Sequence, residues 1–199
     1  MLTIEYYLSL NSPWAYLGSV RFAAIAKAHN STVLVKPARY GVIFGQTGGL
    51  PLPKRSPQRQ AYRLTELKRW SDYLGIPINI QPKGFPSDEA AASRLVIAAQ
   101  QQGRNALAFA HELGKSLWEL EQSFADPATI VAAAARSGID LAAVRAASPP
   151  EAALDAAWDA NTADGLARGI FGAPSYVLPT GEIFWGQDRL EFLERALRK

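Results

Sequence analysis

A serine at the junction of a predicted strand and a predicted helix is the first group in this sequence that can do chemistry. Residues 3–8 are aromatic and β-branched and predict a strand that ends at Asn11-Ser12-Pro13. Ser12 is a typical N-cap and Pro13 a typical first residue of a helix that reaches about His29. There the hydroxyl lies beside free backbone N–H groups, which stabilise a nearby anion. Taken alone, this motif favours the structural alternative, which is an ordinary capping serine.

A proline directly before another predicted strand is the second feature. It lies in Gly169-Ile170-Phe171-Gly172-Ala173-Pro174-Ser175, and proline belongs at a strand start because it removes a ladder donor. If the Ala173–Pro174 peptide bond is cis, the proline is a turn device. The backbone groups of Ala173 and Ser175 would then be free to pair with an extended, peptide-like ligand. The alternative is a plain loop proline.

The third feature is Phe184-Trp185-Gly186-Gln187-Asp188-Arg189, which precedes the last predicted helix. Asp188 can cap that helix, which is its structural interpretation. The same carboxylate can instead bind a ligand ammonium while the helix end receives a carboxylate. An amino acid carries both groups on one carbon, so this pair of contacts suits an amino-acid-like ligand.

The two ends of the chain predict the sheet that would position these motifs. Residues 3–8 and 32–38 read as strands on either side of the first helix and predict a parallel β-α-β unit. Residues 175–178 and 182–185 flank a Pro-Thr-Gly turn and predict a hairpin, followed by a helix over residues 188–198.

The middle of the chain predicts helices. Residues 40–57 are rich in Gly and Pro and read as a loop, and residues 57–74 are amphipathic. Residues 87–169 read as further helices, with Asp126 and Ser148 as N-caps. A helical insertion that splits one small sheet fits this order better than two domains do, because neither sheet fragment would bury its faces alone.

Composition excludes several classes of protein. The chain is 48% hydrophobic and 20% charged, as an ordinary globular protein is, and its net charge is +3. It has no cysteine, which excludes intrinsic disulfide and thiol chemistry and thiolate metal sites. Its two histidines have no companions at metal-ligand spacing, so we predict no metal.

Charge and hydropathy bound the partners and the location. The modest basic cluster between Lys54 and Arg69 reads mainly as a solvated helix face, and its functional alternative is recognition of a small carboxylate ligand. It is too sparse for nucleic-acid binding. No apolar run is long enough to span a membrane, and the N-terminal residues lack a secretory pattern, so we expect a cytoplasmic location.

Together the motifs resemble the 2-hydroxychromene-2-carboxylate isomerases, which are relatives of kappa-class glutathione transferases and DsbA-type oxidoreductases. The resemblance covers nearly the whole chain and rests on residues 6–8, Ser12-Pro13-Trp14-Ala15-Tyr16-Leu17, residues 62–70, Gly75-Ile76-Pro77, Asn161-Thr162 and the two C-terminal motifs. It implies an α/β, thioredoxin-like fold from residues 1–40 and 165–199, an all-helical insertion over residues 55–164, and a connecting loop over residues 41–54.

The resemblance also implies a borrowed thiol. Redox relatives begin the first helix with Cys-x-x-Cys, whereas this chain has Ser12-Pro13-Trp14-Ala15 there. Glutathione would supply the thiol, and Ser12 would donate a hydrogen bond to its thiolate. By position, Ala173 with Pro174 would face the cysteinyl part of the tripeptide, and Gln187 and Asp188 the γ-glutamyl end. Arg59 falls where relatives carry a lysine near the glycine carboxylate.

The implied reaction interconverts 2-hydroxychromene-2-carboxylate and trans-o-hydroxybenzylidenepyruvate by reversible thiolate addition. The substrate is then a small aromatic carboxylate, in a pocket for which we name Trp14, Tyr40, Phe44 and Trp185, each with a core position as its alternative. A homodimer is expected by resemblance only. Two other functions stay open: a kappa-like glutathione transferase or peroxidase, and a non-catalytic thioredoxin-like module that binds peptides.

Overall fold

The computed structural model describes residues 1–198 and contains, within them, a four-stranded mixed sheet. The strands are β1 Thr3–Leu8, β2 Thr32–Pro37, β3 Ser175–Val177 and β4 Ile183–Trp185. Their order is β2-β1-β3-β4, with β1 parallel to β2 and antiparallel to β3, and β3 antiparallel to β4. The predicted β-α-β unit and C-terminal hairpin are confirmed.

Helices make up most of the remaining chain. They are α1 Pro13–Ala28, α2 Tyr40–Thr47, α3 Pro57–Leu74, α4 Ala90–Gln101, α5 Ala106–Trp118, α6 Pro127–Arg136, α7 Leu141–Ala146, α8 Glu151–Ala167 and α9 Leu190–Leu197, with single 3-10 turns at Leu52–Lys54 and Gln187–Arg189. Across residues 1–198, no helix combines the length and the apolar character needed to cross a bilayer.

Helix α3 begins and ends where the sequence predicts. The Ser56 side chain accepts a hydrogen bond from the backbone N–H of Arg59 at 3.4 Å, and Pro57 occupies the first helical position. Gly75 ends the helix in the left-handed region, at φ +64°, where a side chain would be strained. These local signals fix the helix that later forms one wall of the candidate site.

Helix α2 corrects the prediction of a connecting loop over residues 41–54. The Gly and Pro content of that segment predicts no regular structure, yet Tyr40 and Ile43 are both buried. These residues are three positions apart, so they share one helical face. Packing of that face stabilises a short helix that has no side-chain cap at its start. Gly48, at φ +74°, ends it.

The predicted caps of the later helices are partly confirmed. Asp126 accepts a hydrogen bond from the backbone N–H of Ala128 at 2.9 Å and caps α6, as predicted. Ser148 does not cap α8, because Pro150 occupies the N-cap position. The Ser148 hydroxyl instead donates to the carbonyl oxygen of Val144 at 2.7 Å, in the preceding helix.

Two groups of buried side chains cover the two faces of the sheet. Successive residues of a strand point to opposite faces, and in β1 both Tyr6 and Tyr7 are buried. Tyr6 packs in the larger cluster, which includes Phe22 of α1 and Trp118 of α5. Tyr7 packs in the smaller cluster, which includes Tyr40 of α2. Burial on both faces explains why Tyr6, Tyr7 and Leu8 follow one another at the end of β1 with no polar residue between them.

Candidate active site

Ser12 lies in the short segment between the end of β1 and the start of α1. Its Oγ accepts a hydrogen bond from the backbone N–H of Ala15 at 3.2 Å, so the predicted N-cap is confirmed. The same hydroxyl donates to the carbonyl oxygen of Ala173 at 3.4 Å. Pro13 is the first helical residue. The hydroxyl therefore stands at the positive end of a sixteen-residue helix and contacts the segment before β3.

The Ala173–Pro174 bond is cis and directly precedes β3. The segment around it is held by three hydrogen bonds. Gly172 accepts at its carbonyl oxygen from the Tyr40 hydroxyl at 3.2 Å and from the Ser175 hydroxyl at 2.7 Å. The carbonyl oxygen of Pro174 accepts from the backbone N–H of Gly186 at 2.9 Å. Ala173 is thereby fixed between Ser12 on one side and the third motif on the other.

The third motif forms a tight turn against α1. Gly186 adopts φ +93°, and a 3-10 turn follows over Gln187–Arg189. Gly18 of α1 allows the turn to approach, because a Cβ at Gly18 would lie 2.7 Å from the Cβ of Gln187. Asp188 does not cap the last helix, which starts at Leu190 without a side-chain cap. Its carboxylate instead accepts from the Arg189 guanidinium at 2.6 Å.

A cavity of about 640 Å³ lies between α3 and these segments, and we call it the α3 cavity. Its volume is within the range of about 300–1,000 Å³ that is typical of small-molecule sites. Six residues named from the sequence line it: Trp14, Arg59, Ala173, Trp185, Gln187 and Asp188. Ser12 and Pro174 are not among its lining residues but adjoin Ala173, which is. The structure thus gathers most of the named residues in one place.

Tyr40 and Phe44, which were named for the substrate pocket, do not line the α3 cavity. Tyr40 is buried in the smaller core cluster, and Phe44 packs against it with ring centroids 5.8 Å apart. Both belong to α2, whose formation turns them toward the sheet face that carries Tyr7. They therefore have the core role that was their alternative.

Several residues of the α3 cavity were not named from the sequence. Arg55 and Arg63 line it together with the aromatic side chains of Tyr62 and Trp70. The basic cluster between Lys54 and Arg69 was a signal for Arg63, because Arg63 lies four residues after Arg59 on the same helical face. What the sequence did not show is that this face borders a cavity.

Burial shifts the basicity of two of these arginines. Burial, together with the charge of Arg55, lowers the pKa of Arg63 to about 10. Burial and the charge of Arg59 lower the pKa of Arg55 as well. Arginines with lowered pKa values are ones whose positive charge is poorly compensated by their surroundings.

The carboxylate of Glu89, a half-buried residue, supports the loop that carries Ser12. Glu89 accepts hydrogen bonds from the Ser9 hydroxyl at 2.9 Å and from the backbone N–H groups of Leu10 at 2.7 Å and Asn11 at 3.3 Å. The Asn11 amide also pairs in both directions with the backbone of Ser87, at 2.9 Å each. Burial raises the pKa of Glu89 even though these hydrogen bonds favour its charged form.

The histidines lie apart from one another. His111 shares a 2.6 Å hydrogen bond with the Ser19 hydroxyl, and burial lowers its pKa. His29 caps the C-terminal end of α1. Among residues 1–198 there is no group of three or more His, Cys, Asp or Glu side chains placed to hold a metal ion.

Residues 3–198 match the family model of the DSBA-like thioredoxin domain. The chain belongs to this family. The predicted resemblance and the predicted thioredoxin-like fold are therefore confirmed.

Relatives of this DSBA-like chain include two kinds of named protein. It is 26% identical to a 2-hydroxychromene-2-carboxylate isomerase from Pseudomonas putida, over 98% of this chain and 94% of that one. It is 25% identical to the protein named Glutathione S-transferase kappa 1 from Homo sapiens, over 98% of this chain and 90% of that one.

A solved structure supports the same architecture. The structure of a 2-hydroxychromene-2-carboxylate isomerase matches the DSBA-like chain with a TM-score of 0.74, at 22% sequence identity. The match covers 98% of this chain and 94% of the other. At this level of identity the comparison establishes the fold.

Proposed function

We propose that this protein is a glutathione-dependent isomerase that acts on 2-hydroxychromene-2-carboxylate or a related aromatic enone. The observation that carries the proposal is the α3 cavity, in which Arg59, Ala173 and Asp188 share one space beside the capped end of α1. The similarity to proteins named as 2-hydroxychromene-2-carboxylate isomerases supports the choice of reaction.

The charges of the α3 cavity fit the tripeptide. Glutathione has a free ammonium and carboxylate at its γ-glutamyl end and a second carboxylate at its glycine end. Asp188 would hold the ammonium, with Gln187 beside it, and Arg59 would hold the glycine carboxylate. Ala173 with Pro174 would contact the cysteinyl part between them. The volume of about 640 Å³ leaves room for an aromatic acceptor as well.

When bound, glutathione supplies a thiolate that adds reversibly to a conjugated carbon, so that a double bond becomes single, rotates and re-forms. The chain's own contribution is to favour the ionised thiol. The Ser12 hydroxyl donates a hydrogen bond, and the N-terminus of α1 adds a positive potential. Each effect is worth on the order of 1 kcal/mol, or somewhat under one pKa unit, against a free thiol pKa of about 8.5.

Ser12→Ala tests this proposal. We expect the variant to bind glutathione but to raise the pKa of the bound thiol by somewhat under one unit and to slow isomerisation accordingly. Thiolate absorbance of the complex measured against pH gives the first quantity, and a glutathione-dependent isomerisation assay gives the second.

Asp126→Ala is the matched control. Asp126 caps α6 as Ser12 caps α1, and neither Asp126 nor its partner Ala128 lies at the α3 cavity. Its loss should cost about 1 kcal/mol of stability and leave the thiol pKa unchanged. Full isomerase activity in Ser12→Ala would remove Ser12 from the mechanism. Calorimetric silence with millimolar glutathione would favour a peptide-binding module instead.

A kappa-like glutathione transferase or peroxidase is the second candidate. It is favoured by the relative named Glutathione S-transferase kappa 1. It would use the same tripeptide site and differ only in the acceptor. Net consumption of glutathione with an electrophile or a peroxide, without isomerisation of the enone, would select it.

A further inference from the structure

Three arginines lie on the side of the α3 cavity that is formed by α3 and the residues just before it. Arg59 and Arg63 are four residues apart in α3 and therefore share one helical face, and Arg55 lies two residues before the helix begins at Pro57. All three line the α3 cavity. The proposed function uses only Arg59, which leaves two guanidinium groups without a role.

None of these three guanidinium groups forms an ion pair with a carboxylate in the part of the chain that the structure describes. The two carboxylates that share the cavity are already paired: Glu66 with Arg69 at 2.6 Å, and Asp188 with Arg189 at 2.6 Å. The cavity wall therefore carries an excess of positive charge that the protein does not neutralise itself.

The surroundings of Arg63 make this excess costly. Its guanidinium lies over the rings of Phe85 and Trp118, 5.5 and 5.6 Å from their centroids. Aromatic faces attract a cation but accept few hydrogen bonds, so several N–H donors are left for another partner. Arg55 is less confined and spends one donor on the carbonyl oxygen of Leu50, at 2.8 Å. An anion bound between the two would relieve both their repulsion and their unused donors.

We propose that Arg55 and Arg63 form a second anion site in the α3 cavity, separate from Arg59, that binds the carboxylate of the acceptor. This inference rests on the proposed function, which assigns Arg59 to glutathione. Tyr62 and Trp70 line the same cavity and supply an aromatic surface for the ring of the acceptor. The enzyme should thus discriminate aromatic enones that carry a carboxylate from neutral ones.

A matched pair of acceptors tests the discrimination. Benzylidenepyruvate and benzylideneacetone have the same phenyl enone, and only the first has a carboxylate. We expect Arg55→Gln and Arg63→Gln each to raise the KM for benzylidenepyruvate about tenfold to a hundredfold. The KM for benzylideneacetone and the Kd for glutathione should change less than about twofold, since neither uses these donors. Arg63→Lys, which keeps the charge, should restore part of the lost affinity.

Lys68→Gln is the control, because Lys68 lies on the same helix, and neither Lys68 nor its ion-pair partner Asp72 lines the α3 cavity. Arg55→Gln guards against a folding defect, since Arg55 precedes α3 and does not stack on the core as Arg63 does. Equal losses for both acceptors would overturn the proposal. Weaker glutathione binding with unchanged discrimination would also overturn it, because the arginines would then serve the tripeptide.

Titration of benzylidenepyruvate into the protein without glutathione separates this inference from the proposed function. Trp14 and Trp70 line the cavity, so their fluorescence reports binding. Binding that Arg55→Gln weakens would support the anion site even if glutathione failed to bind, in which case only the proposed function falls. Binding that neither substitution weakens would exclude the site.

Discussion

Ser12 owes its chemistry to one local feature, the backbone that surrounds it. Its Oγ already serves as a hydrogen-bond acceptor for the first turn of α1, so the atom sits among N–H groups that have no partner within the helix. Any sulfur at the same place should experience the same positive potential. The electrostatics of the site can therefore be measured without any ligand.

Ser12→Cys puts a thiol at that atom in a chain that has no other cysteine. We expect its pKa to lie well below the free value of about 8.5, because the helix N-terminus stabilises the thiolate. The measurement is the thiolate absorbance as a function of pH. Ser137→Cys provides the comparison, since Ser137 is the C-cap of α6, where the potential is negative. Similar pKa values in the two variants would contradict this account.

At the scale of single residues, the sequence pointed to Ser12 and Arg59 but not to Arg63. Ser12 was identified because capping depends on neighbours in sequence, and Arg59 was identified from the resemblance, at the place where relatives carry a lysine. Arg63 was missed because its setting depends on Trp118, fifty-five positions away, and on a cavity closed by residues near Trp185. Distant contacts of this kind leave no pattern in one sequence.

Between elements, α1 closely approaches the 3-10 turn over Gln187–Arg189 at Gly18. We expect Gly18→Ala to push this turn away, because the new Cβ would lie 2.7 Å from the Cβ of Gln187 and 3.1 Å from the Tyr176 hydroxyl. Overpacking of this kind costs about 1–3 kcal/mol. Displacement of Asp188 should also weaken glutathione binding, measured by calorimetry alongside urea unfolding.

Gly45→Ala in α2 is the control for that substitution. A Cβ at Gly45 meets nothing within 4 Å, and alanine is the better helix former by up to about 1 kcal/mol. This variant should be as stable as the parent or more stable, with unchanged affinity. Equal effects of the two substitutions would show that the close approach at Gly18 is unimportant.

The loop between β1 and α1 depends on Glu89, and its stability should depend on pH. Burial raises the folded-state pKa of Glu89 above its unfolded value. Its contribution is therefore complete below the unfolded pKa of about 4.3 and declines as pH rises toward the folded pKa. Glu89→Gln should remove this decline, so its stability relative to the parent should improve with rising pH. Urea unfolding of the variant and the parent at several pH values measures this difference in stability. Parallel curves of stability against pH would contradict the prediction.

Glu89→Ala separates the charge from the hydrogen bonds. The amide of Glu89→Gln can still accept from the backbone of Leu10 and Asn11, whereas alanine leaves these N–H groups without their partner. We expect Glu89→Ala to be about 1–3 kcal/mol less stable to unfolding than the parent at every pH measured. Stability equal to that of Glu89→Gln would mean that the loop does not need the acceptor.

At the scale of the whole molecule, sheet and helices share one core. The larger cluster contains Tyr6 of β1, Leu67 of α3, Trp118 of α5 and Leu193 of α9. The order of elements in the sequence predicted a sheet split by helices, but periodicity within each element could not show which faces meet. The division into residues 1–40 with 165–199 and residues 55–164 remains a proposal about chain organisation.

A shared core predicts a single cooperative unfolding transition for the two parts. Tryptophan fluorescence reports Trp118, Trp158 and the cavity residues, and far-ultraviolet circular dichroism reports the helices. The two signals should follow one urea curve with one midpoint. A first transition that removes helical signal while the sheet region persists would show that the helical segment is an independent domain.

The Ser12 hydroxyl has two separate hydrogen-bonding roles, one as an acceptor and one as a donor, and its proton can rotate about the C–O bond. The lone pair that caps α1 stays bound to Ala15, while the single proton points at Ala173 across a long 3.4 Å contact. In the proposed mechanism, the hydroxyl would turn its proton from the Ala173 carbonyl oxygen, a weak acceptor at this distance, to the thiolate of glutathione, a strong one. The cap of α1 would stay in place. Binding of the thiolate would therefore cost the fold almost no stability.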